Sequence, residues 1–214
     1  MAISLAKGQG ITLHASEFDL STISLELDWE RDVPGHLLKR LFGSAPEAFK
    51  LDAVALLCHA DGKVHRLGEN LAGGDVVFFN HRRHSSGAIW LGDDDSVADA
   101  GSHEDARIIM RPAVMPAEVA RIMIVASIFQ GQRRKQHLGQ LHRIVMRVLD
   151  AQEREIAHME VRAGPETQDM CSMVLAELGR TGDGWAFRAL LQPESTDNFV
   201  MILRDYYMPP FGLN

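Results

Sequence analysis

The amino-acid sequence predicts a mainly β fold: an antiparallel two-sheet β-sandwich with a few short helices, including one at the C-terminus. Three observations lead to this prediction. Apolar and polar residues alternate with a period of two along many short segments, as in strands that bury one face. Turn-forming pairs that contain glycine separate these segments at short intervals. Helical periodicity is scarce, and many short strands at regular spacing are typical of a sandwich.

The clearest strand pattern lies at residues 23–29, where Ile23, Leu25, Leu27 and Trp29 alternate with polar residues. Further short segments predict strands at residues 51–59, 75–80, 88–91, 107–110, 120–129, 142–149, 156–161 and 185–191. The turn signals between them are Asp61-Gly62, Gly73-Gly74, Ser86-Gly87, Gly164-Pro165 and Gly182-Asp183-Gly184.

Three segments carry helical signals. Residues 36–42 fit two helical turns, although the glycine and proline that follow make an inserted loop an equal alternative. Residues 169–178 fit either a helix or a strand. At the C-terminus, residues 195–197 are suited to cap a helix that Pro209-Pro210 is expected to end. The predicted buried face of this helix contains Phe199, Ile202, Leu203 and Tyr206.

The composition is that of a soluble globular protein. The 214 residues are 46% hydrophobic and 24% charged, and 29 acids against 22 bases give a net charge of −7. This balance argues against nucleic-acid binding. Cys58 and Cys171 each lie in an apolar run, so we expect buried free thiols in a reducing compartment. With no basic leader and no apolar run of roughly 18 residues, the predicted location is the cytoplasm, without a membrane span.

The segment from residue 92 to residue 105 is the most acidic part of the chain. Because crowded carboxylates repel one another, a hard divalent cation is one way to stabilise such a loop, and the oxygen-rich composition favours calcium or magnesium. A solvated acidic loop is the alternative interpretation. The pattern is not that of an EF-hand, because Val97 and Ala98 replace an oxygen ligand and the required glycine. Its carboxylates are Asp93, Asp94, Asp95, Asp99, Glu104 and Asp105.

Two basic clusters have alternative interpretations. His81-Arg82-Arg83-His84 follows a predicted strand, so the histidines fit zinc ligands or a general acid and base, while the whole group also fits a plain basic turn. Residues 132–137 contain two arginines and a lysine, which fit an anionic partner, a membrane surface or a solvated connection. Motifs typical of nucleophilic catalysis or nucleotide binding are missing from the sequence.

Several motifs are arranged along the chain in a recognisable order. They are Ile3-Ser4-Leu5-Ala6-Lys7-Gly8, Phe49-Lys50-Leu51-Asp52-Ala53, Asp61-Gly62-Lys63-Val64, Asp75-Val76-Val77-Phe78-Phe79-Asn80, Gly92-Asp93-Asp94 and Gly184-Trp185-Ala186-Phe187-Arg188-Ala189. In order and spacing these motifs resemble the TerD family of tellurium-resistance and stress-response proteins. The resemblance implies an opening hairpin in residues 3–13 and a β-sandwich domain over residues 1–192. The C-terminal helix and tail at 193–214, predicted from the residue pattern, are expected to pack on that domain.

The resemblance also implies calcium binding through acidic loops at one end of the sheets, without catalysis. Four positions depart from the family pattern in these loops: Lys50, Val97, Ala98 and Ala106. The ammonium of Lys50 is expected to repel a cation. The positions that carry over as candidate metal ligands are Asp52, Asp75, Asn80, Asp93, Asp94, Asp99, Glu104 and Asp105.

Together these observations predict a non-enzymatic, calcium-binding module of bacterial tellurite resistance or general stress response. Calcium is expected to order the acidic loops for a protein partner, with no nucleic-acid partner, and peripheral membrane association stays open. One alternative is a metal-free interaction scaffold that has lost the ion. Another is a magnesium-assisted hydrolase that uses Asp93 and Asp94 with His81 or His84.

Overall fold

Two six-stranded sheets pack face to face in the computed structural model, which describes residues 2–31, 49–92, 104–182 and 184–207. Sheet A contains, in spatial order, β1 (Ile3–Ser4), β12 (Glu155–Arg162), β11 (Leu141–Leu149), β3 (Ile23–Arg31), β9 (Glu104–Met110) and β8 (Ile89–Leu91). Sheet B contains β2 (Gly10–Leu13), β14 (Gly184–Glu194), β13 (Ser172–Thr181), β10 (Arg121–Ile128), β4 (Leu51–Cys58) and β7 (Val76–Val77). Strands β5 (Gly68–Glu69) and β6 (Ala72–Gly73) form a separate small hairpin.

The main hydrophobic core lies between the two sheets. Strand β3 shows why the period of two is so clear, because Ile23, Leu25, Leu27 and Trp29 are all buried against sheet B residues. The alternate side chains, such as Glu26, point to the open outer face of sheet A. Arginines on β9 and β11 form ion pairs with the acids of β3 across that face, which therefore stays polar.

A second hydrophobic core covers the outer face of sheet B. The described part of the chain contains two short helices, α1 (Gly131–Arg134) and α2 (Phe199–Tyr206), and 3-10 turns at Pro112–Val114 and Leu138–Gln140. Helix α2 packs Ile202 and Leu203 into this second core, which contains Val54 and Leu56 of β4. Strand β4 is therefore buried on both faces, which explains its continuous apolar sequence. Neither helix is long and apolar enough to cross a membrane.

Most predicted strands are confirmed within one to three residues. The ambiguous segment 169–178 forms strand β13, because β10 and β14 pair with it on both sides and cores on both faces remove the alternation. The predicted C-terminal helix is confirmed as α2, although Asn198 caps it by accepting a hydrogen bond from the backbone N–H of Val200. Strand β14 runs to Glu194, beyond the expected domain boundary at 192. The helix predicted at 36–42 and the tail at 208–214 lie outside the described residues.

Two predictions about local structure were wrong. The opening hairpin does not form, because a turn at Gly8 carries the chain between sheets, so β1 pairs with β12 and β2 pairs with β14. The strand predicted at 75–80 stops after Val77, since Phe78 and His81 exchange backbone hydrogen bonds and reverse the chain. The strand predicted at 107–110 is confirmed as β9, which begins three residues earlier, at Glu104, because β3 is long enough to pair with it there.

Candidate functional site

The predicted metal ligands on sheet B lie at opposite ends of strand β4. Asp52 is the second residue of β4 and pairs with Ser127 of β10. The carbonyl of Asp75 accepts a hydrogen bond from the backbone N–H of Leu57, near the last residue of the same strand. Five residues of extended chain separate these positions by roughly 17 Å. Asp52 and Asp75 therefore cannot coordinate one ion.

Asp75 is a buried anion with partners from its own chain. Its side chain is 1% exposed, and Nη2 of Arg66 lies 2.7 Å from Oδ1. The Arg66 backbone N–H donates to Oδ2 at 3.1 Å, and Nε2 of His84 lies 3.3 Å from Oδ1. Burial by itself raises the pKa of the Asp75 carboxyl, but the hydrogen bonds from His84 and Arg66 outweigh burial and lower that pKa from 3.8 to about 2. Both oxygens are thus occupied by structural contacts.

The two histidines of the predicted basic turn also have partners within the fold. Nδ1 of His84 accepts from the backbone N–H of Ser86 and lies 2.7 Å from its hydroxyl, so Nε2 carries the proton donated to the buried carboxylate. His81 accepts from the backbone N–H of Gly73 through Nε2 and donates through Nδ1 to the carbonyl of Val76. Neither ring offers a free nitrogen for a zinc ion or for general-base chemistry.

Three further residues beside Asp75 were not predicted from sequence. The rings of His59 and His65 stack at 3.8 Å, and Nε2 of His59 lies 3.9 Å from Oδ2 of Asp75. Nε2 of His65 lies 2.8 Å from a carboxylate oxygen of Asp61. The Asp61-Gly62 turn signal was the available clue, since this turn brings residues 59 and 65 side by side. Arg66 had no local signal, because its partner is nine residues away across the β5–β6 hairpin.

Two other predicted metal ligands, Asp52 and Asn80, lie at the opposite end of β4. The side chain of Asp52 is 15% exposed, and Nζ of Lys50 lies 3.7 Å from Oδ1. Asn80 is exposed in the turn beyond Val77, and Val77 pairs with Ala55, three residues from Asp52. Asp52 and Asn80 thus lie at the same end of the sandwich.

Both ends of the acidic segment reach this same end. The backbone N–H of Leu91 donates a hydrogen bond to the carbonyl oxygen of Arg82, next to the Asn80 turn. The backbone N–H of Gly92 donates to the carbonyl oxygen of Arg107. Glu104 and Asp105 pair with Trp29 and Asp28 at the start of β9. Asp93, Asp94 and Asp99 lie outside the described residues, as do the side chains of Glu104 and Asp105.

No group of three or more His, Cys, Asp or Glu side chains is arranged to hold a metal ion within the ranges that the structure describes. Those ranges exclude most of the acidic segment. Calcium binding at the Asp52 end stays a prediction. For Asp75, the contacts with Arg66 and His84 supply a structural role instead.

Comparisons with known proteins agree with the fold and the motif order. The family model described as the TerD domain matches residues 1–206. The tellurium resistance protein TerX of Serratia marcescens is 38% identical over 213 residues, which cover 96% of this chain and 100% of that protein. The stress response protein SCP2 of Bacillus subtilis is 25% identical, over 89% of this chain and 92% of that protein.

A solved structure shows the same architecture. The crystal structure of the protein SAV2460, whose function is unknown, matches with a TM-score of 0.61 and 16% sequence identity. The match covers 89% of this chain and 99% of that chain, and at this identity it supports the fold alone. Because the TerD domain model spans nearly the whole chain and TerX is similar over its full length, this chain belongs to the TerD family.

Proposed function

We propose that this protein is a non-enzymatic calcium-binding module that acts in tellurium resistance or in a general stress response. The names of two full-length relatives, a tellurium resistance protein and a stress response protein, support the biological setting. The cytoplasm is the proposed compartment, because Cys58 and Cys171 are both buried free thiols. The site and its mechanism rest on the geometry at the Asp52 end of the sandwich.

One observation carries the calcium proposal: both ends of the acidic segment reach the end of the sandwich that holds Asp52 and Asn80. Carboxylate and amide oxygens are the ligands that calcium prefers, and loops at one end of a rigid sandwich can supply six to eight of them. Asp75 is not part of this site. The proposed ligand set is Asp52, Asn80, Asp93, Asp94, Asp99, Glu104 and Asp105.

The proposed mechanism is electrostatic. Without a cation, the carboxylates of this set repel one another, and the ion offsets that repulsion when it binds. Calcium then fixes the surface that these residues present to a protein partner. Nζ of Lys50 lies 3.7 Å from Oδ1 of Asp52 and would compete with calcium for this carboxylate. Because the Lys50 side chain is 57% exposed, it can turn into solvent when calcium binds.

The alternatives differ in what they need from the structure. A magnesium-assisted hydrolase needs a free ring nitrogen on His81 or His84. In both rings, both nitrogens form hydrogen bonds within the fold. This occupancy favours the non-enzymatic proposal. A metal-free scaffold needs no ion at all, so a measurement of calcium dependence separates it from the proposed module.

Thermal unfolding in calcium and in chelator tests the proposal. At a hundredfold excess over Kd, calcium adds about 2.7 kcal/mol of stability, which raises the Tm of a chain this size by roughly 5–10 °C. Replacing Asp93→Asn and Asp94→Asn together should abolish this rise. The matched control Asp75→Asn should lower Tm in both buffers and keep the rise. An equal wild-type Tm in calcium and chelator would establish the metal-free scaffold.

A further inference from the structure

Two large aromatic side chains are exposed at the Asp52 end of sheet B. Phe129 follows β10 and is 40% exposed, while Phe79 lies in the turn after β7 and is 45% exposed. Strands β10 and β7 flank β4 on either side, and their last residues pair with Leu51 and Ala55 of β4, so these strand ends lie roughly 17 Å apart. Lys50 precedes β4 between them, and its carbonyl accepts from the backbone N–H of Phe129. This edge therefore presents a cation between two apolar rings.

Further cations follow Phe129 closely in the chain. Arg133 and Lys135 are exposed, and Nζ of Lys50 lies 5.7 Å from the centre of the Phe129 ring. The sequence has no Asp or Glu between Glu118 and Asp150, although the whole chain has a net charge of −7. Positive charge is thus concentrated on a small part of an acidic protein.

Residues 129–135, here called the basic tip, are held in a fixed and unfavourable backbone conformation. Gln130 and Lys135 both have a left-handed backbone, with φ of 52° and 54°. Gly131 is buried, and a Cβ there would lie 3.0 Å from the carbonyl oxygen of Gln136. The carboxylate of Asp197 anchors the tip by accepting from the backbone N–H of Gln132 at 3.1 Å. Such strain persists only where surrounding contacts enforce it, and it is concentrated at functional sites.

We propose that the basic tip, together with Lys50 and Phe79, docks this protein on an anionic phospholipid surface. Exposed phenylalanines flanked by lysine and arginine are the composition of interfacial membrane contacts, where the rings enter the headgroup region and the cations meet lipid phosphates. The net negative charge of the chain does not prevent this contact, because salt screens charges beyond about 8 Å. The docking cations belong to the protein itself, and because Lys50 also pairs with the proposed calcium ligand Asp52, the contact is measured without calcium.

Vesicle flotation of the full chain in chelator tests the proposal. The wild type should float with vesicles of phosphatidylcholine mixed with phosphatidylglycerol and not with phosphatidylcholine alone, and added salt should weaken binding. The double change Arg133→Glu and Lys135→Glu should reduce affinity at least about tenfold. The change Phe129→Ser should reduce affinity about tenfold with the charge unaltered.

A control pair alters net charge equally elsewhere. Lys7→Glu and Arg204→Glu change two exposed cations outside the tip and should leave flotation at the wild-type level. Circular dichroism and Tm identify any variant that fails to fold. The proposal is overturned if the wild type binds neither kind of vesicle or binds both equally. It is also overturned if the control pair lowers vesicle affinity as much as Arg133→Glu with Lys135→Glu does. Retention on immobilised polyglutamate without vesicle binding assigns the tip to an acidic polypeptide and also overturns it. Because chelator is present throughout, none of these failures bears on calcium binding.

Discussion

Asp75 is a buried carboxylate whose side chain contacts Arg66 and His84. Its carboxylate is almost fully buried, yet it remains ionised because Arg66 and His84 supply charged and neutral donors to both oxygens. The guanidinium of Arg66 is 55% exposed, so it closes the pocket from the solvent side. Because only the carboxylate is buried, removal of Arg66 would leave an unpaired buried charge, whereas removal of the carboxylate leaves an arginine that solvent can reach.

The depressed pKa of Asp75 predicts a stability loss in acid. Its folded pKa of about 2 lies below the ordinary 3.8, so its contribution is present above the ordinary value and is lost as pH falls through the folded value. The difference corresponds to about 2 kcal/mol. Urea unfolding at neutral pH should show the Asp75→Asn variant less stable than the wild type by about that amount.

The difference in the free energy of unfolding between the wild type and Asp75→Asn should then shrink to zero as pH falls from about 5 to about 2. Asp205→Asn removes the same charge at an exposed position and should run parallel to the wild type at every pH. A gap that stays constant down to the lowest pH would show that Asp75 stabilises through packing rather than through its charge.

Among the secondary-structure elements, helix α2 covers part of the outer face of sheet B. Its Leu203 is 2% exposed in the second core, whereas Met201 on the same helix is 45% exposed. Leu203→Ala should lower the free energy of unfolding by about 3 kcal/mol through the cavity it leaves. Met201→Ala should change it by less than about 0.5 kcal/mol. Chemical denaturation measures both, and similar effects of the two changes would mean that α2 does not contribute to the core.

The predictability of each element followed from how its hydrophobic face is formed. Strand β3 has one buried and one solvated face, so its alternation located it correctly. Strand β13 is covered on both faces, which removed the alternation and left helix and strand equally plausible. Strands β1 and β7 have two residues each, and their partners are distant in sequence, so local pattern could not place them. The apolar stripe of α2 was long enough to recognise.

At the scale of the whole molecule, the sequence identified the family and the acidic positions but not their grouping. Motif order predicted the TerD family, which the match over residues 1–206 confirmed. The separation of Asp52 from Asp75 depends on the hydrogen bond between Leu57 and Asp75, a pairing that no local pattern reveals. The roles of Arg66 and of the basic tip depend likewise on contacts between residues brought together by folding.

The two ends of the sandwich therefore have different roles. One end holds the buried carboxylate of Asp75, which the partly exposed Arg66 neutralises. The other end holds Asp52, Asn80, the basic tip and the described residues on either side of the acidic segment, Gly92 and Glu104. The proposed interactions with calcium and with an anionic surface both belong to this second end, and the first end supplies matched control positions for testing them.

Calorimetric titration of the chelator-treated full chain with calcium measures whether the acidic end of the sandwich binds the ion. We predict that the wild type binds calcium, that Asp75→Asn binds with unchanged affinity, and that Asp93→Asn with Asp94→Asn binds none. Magnesium should bind more weakly, because a site assembled from several loops suits the larger and more flexible coordination of calcium. A wild-type chain that takes up no calcium would rule out the proposed calcium site, and a loss of binding in Asp75→Asn would rule out the proposed ligand set.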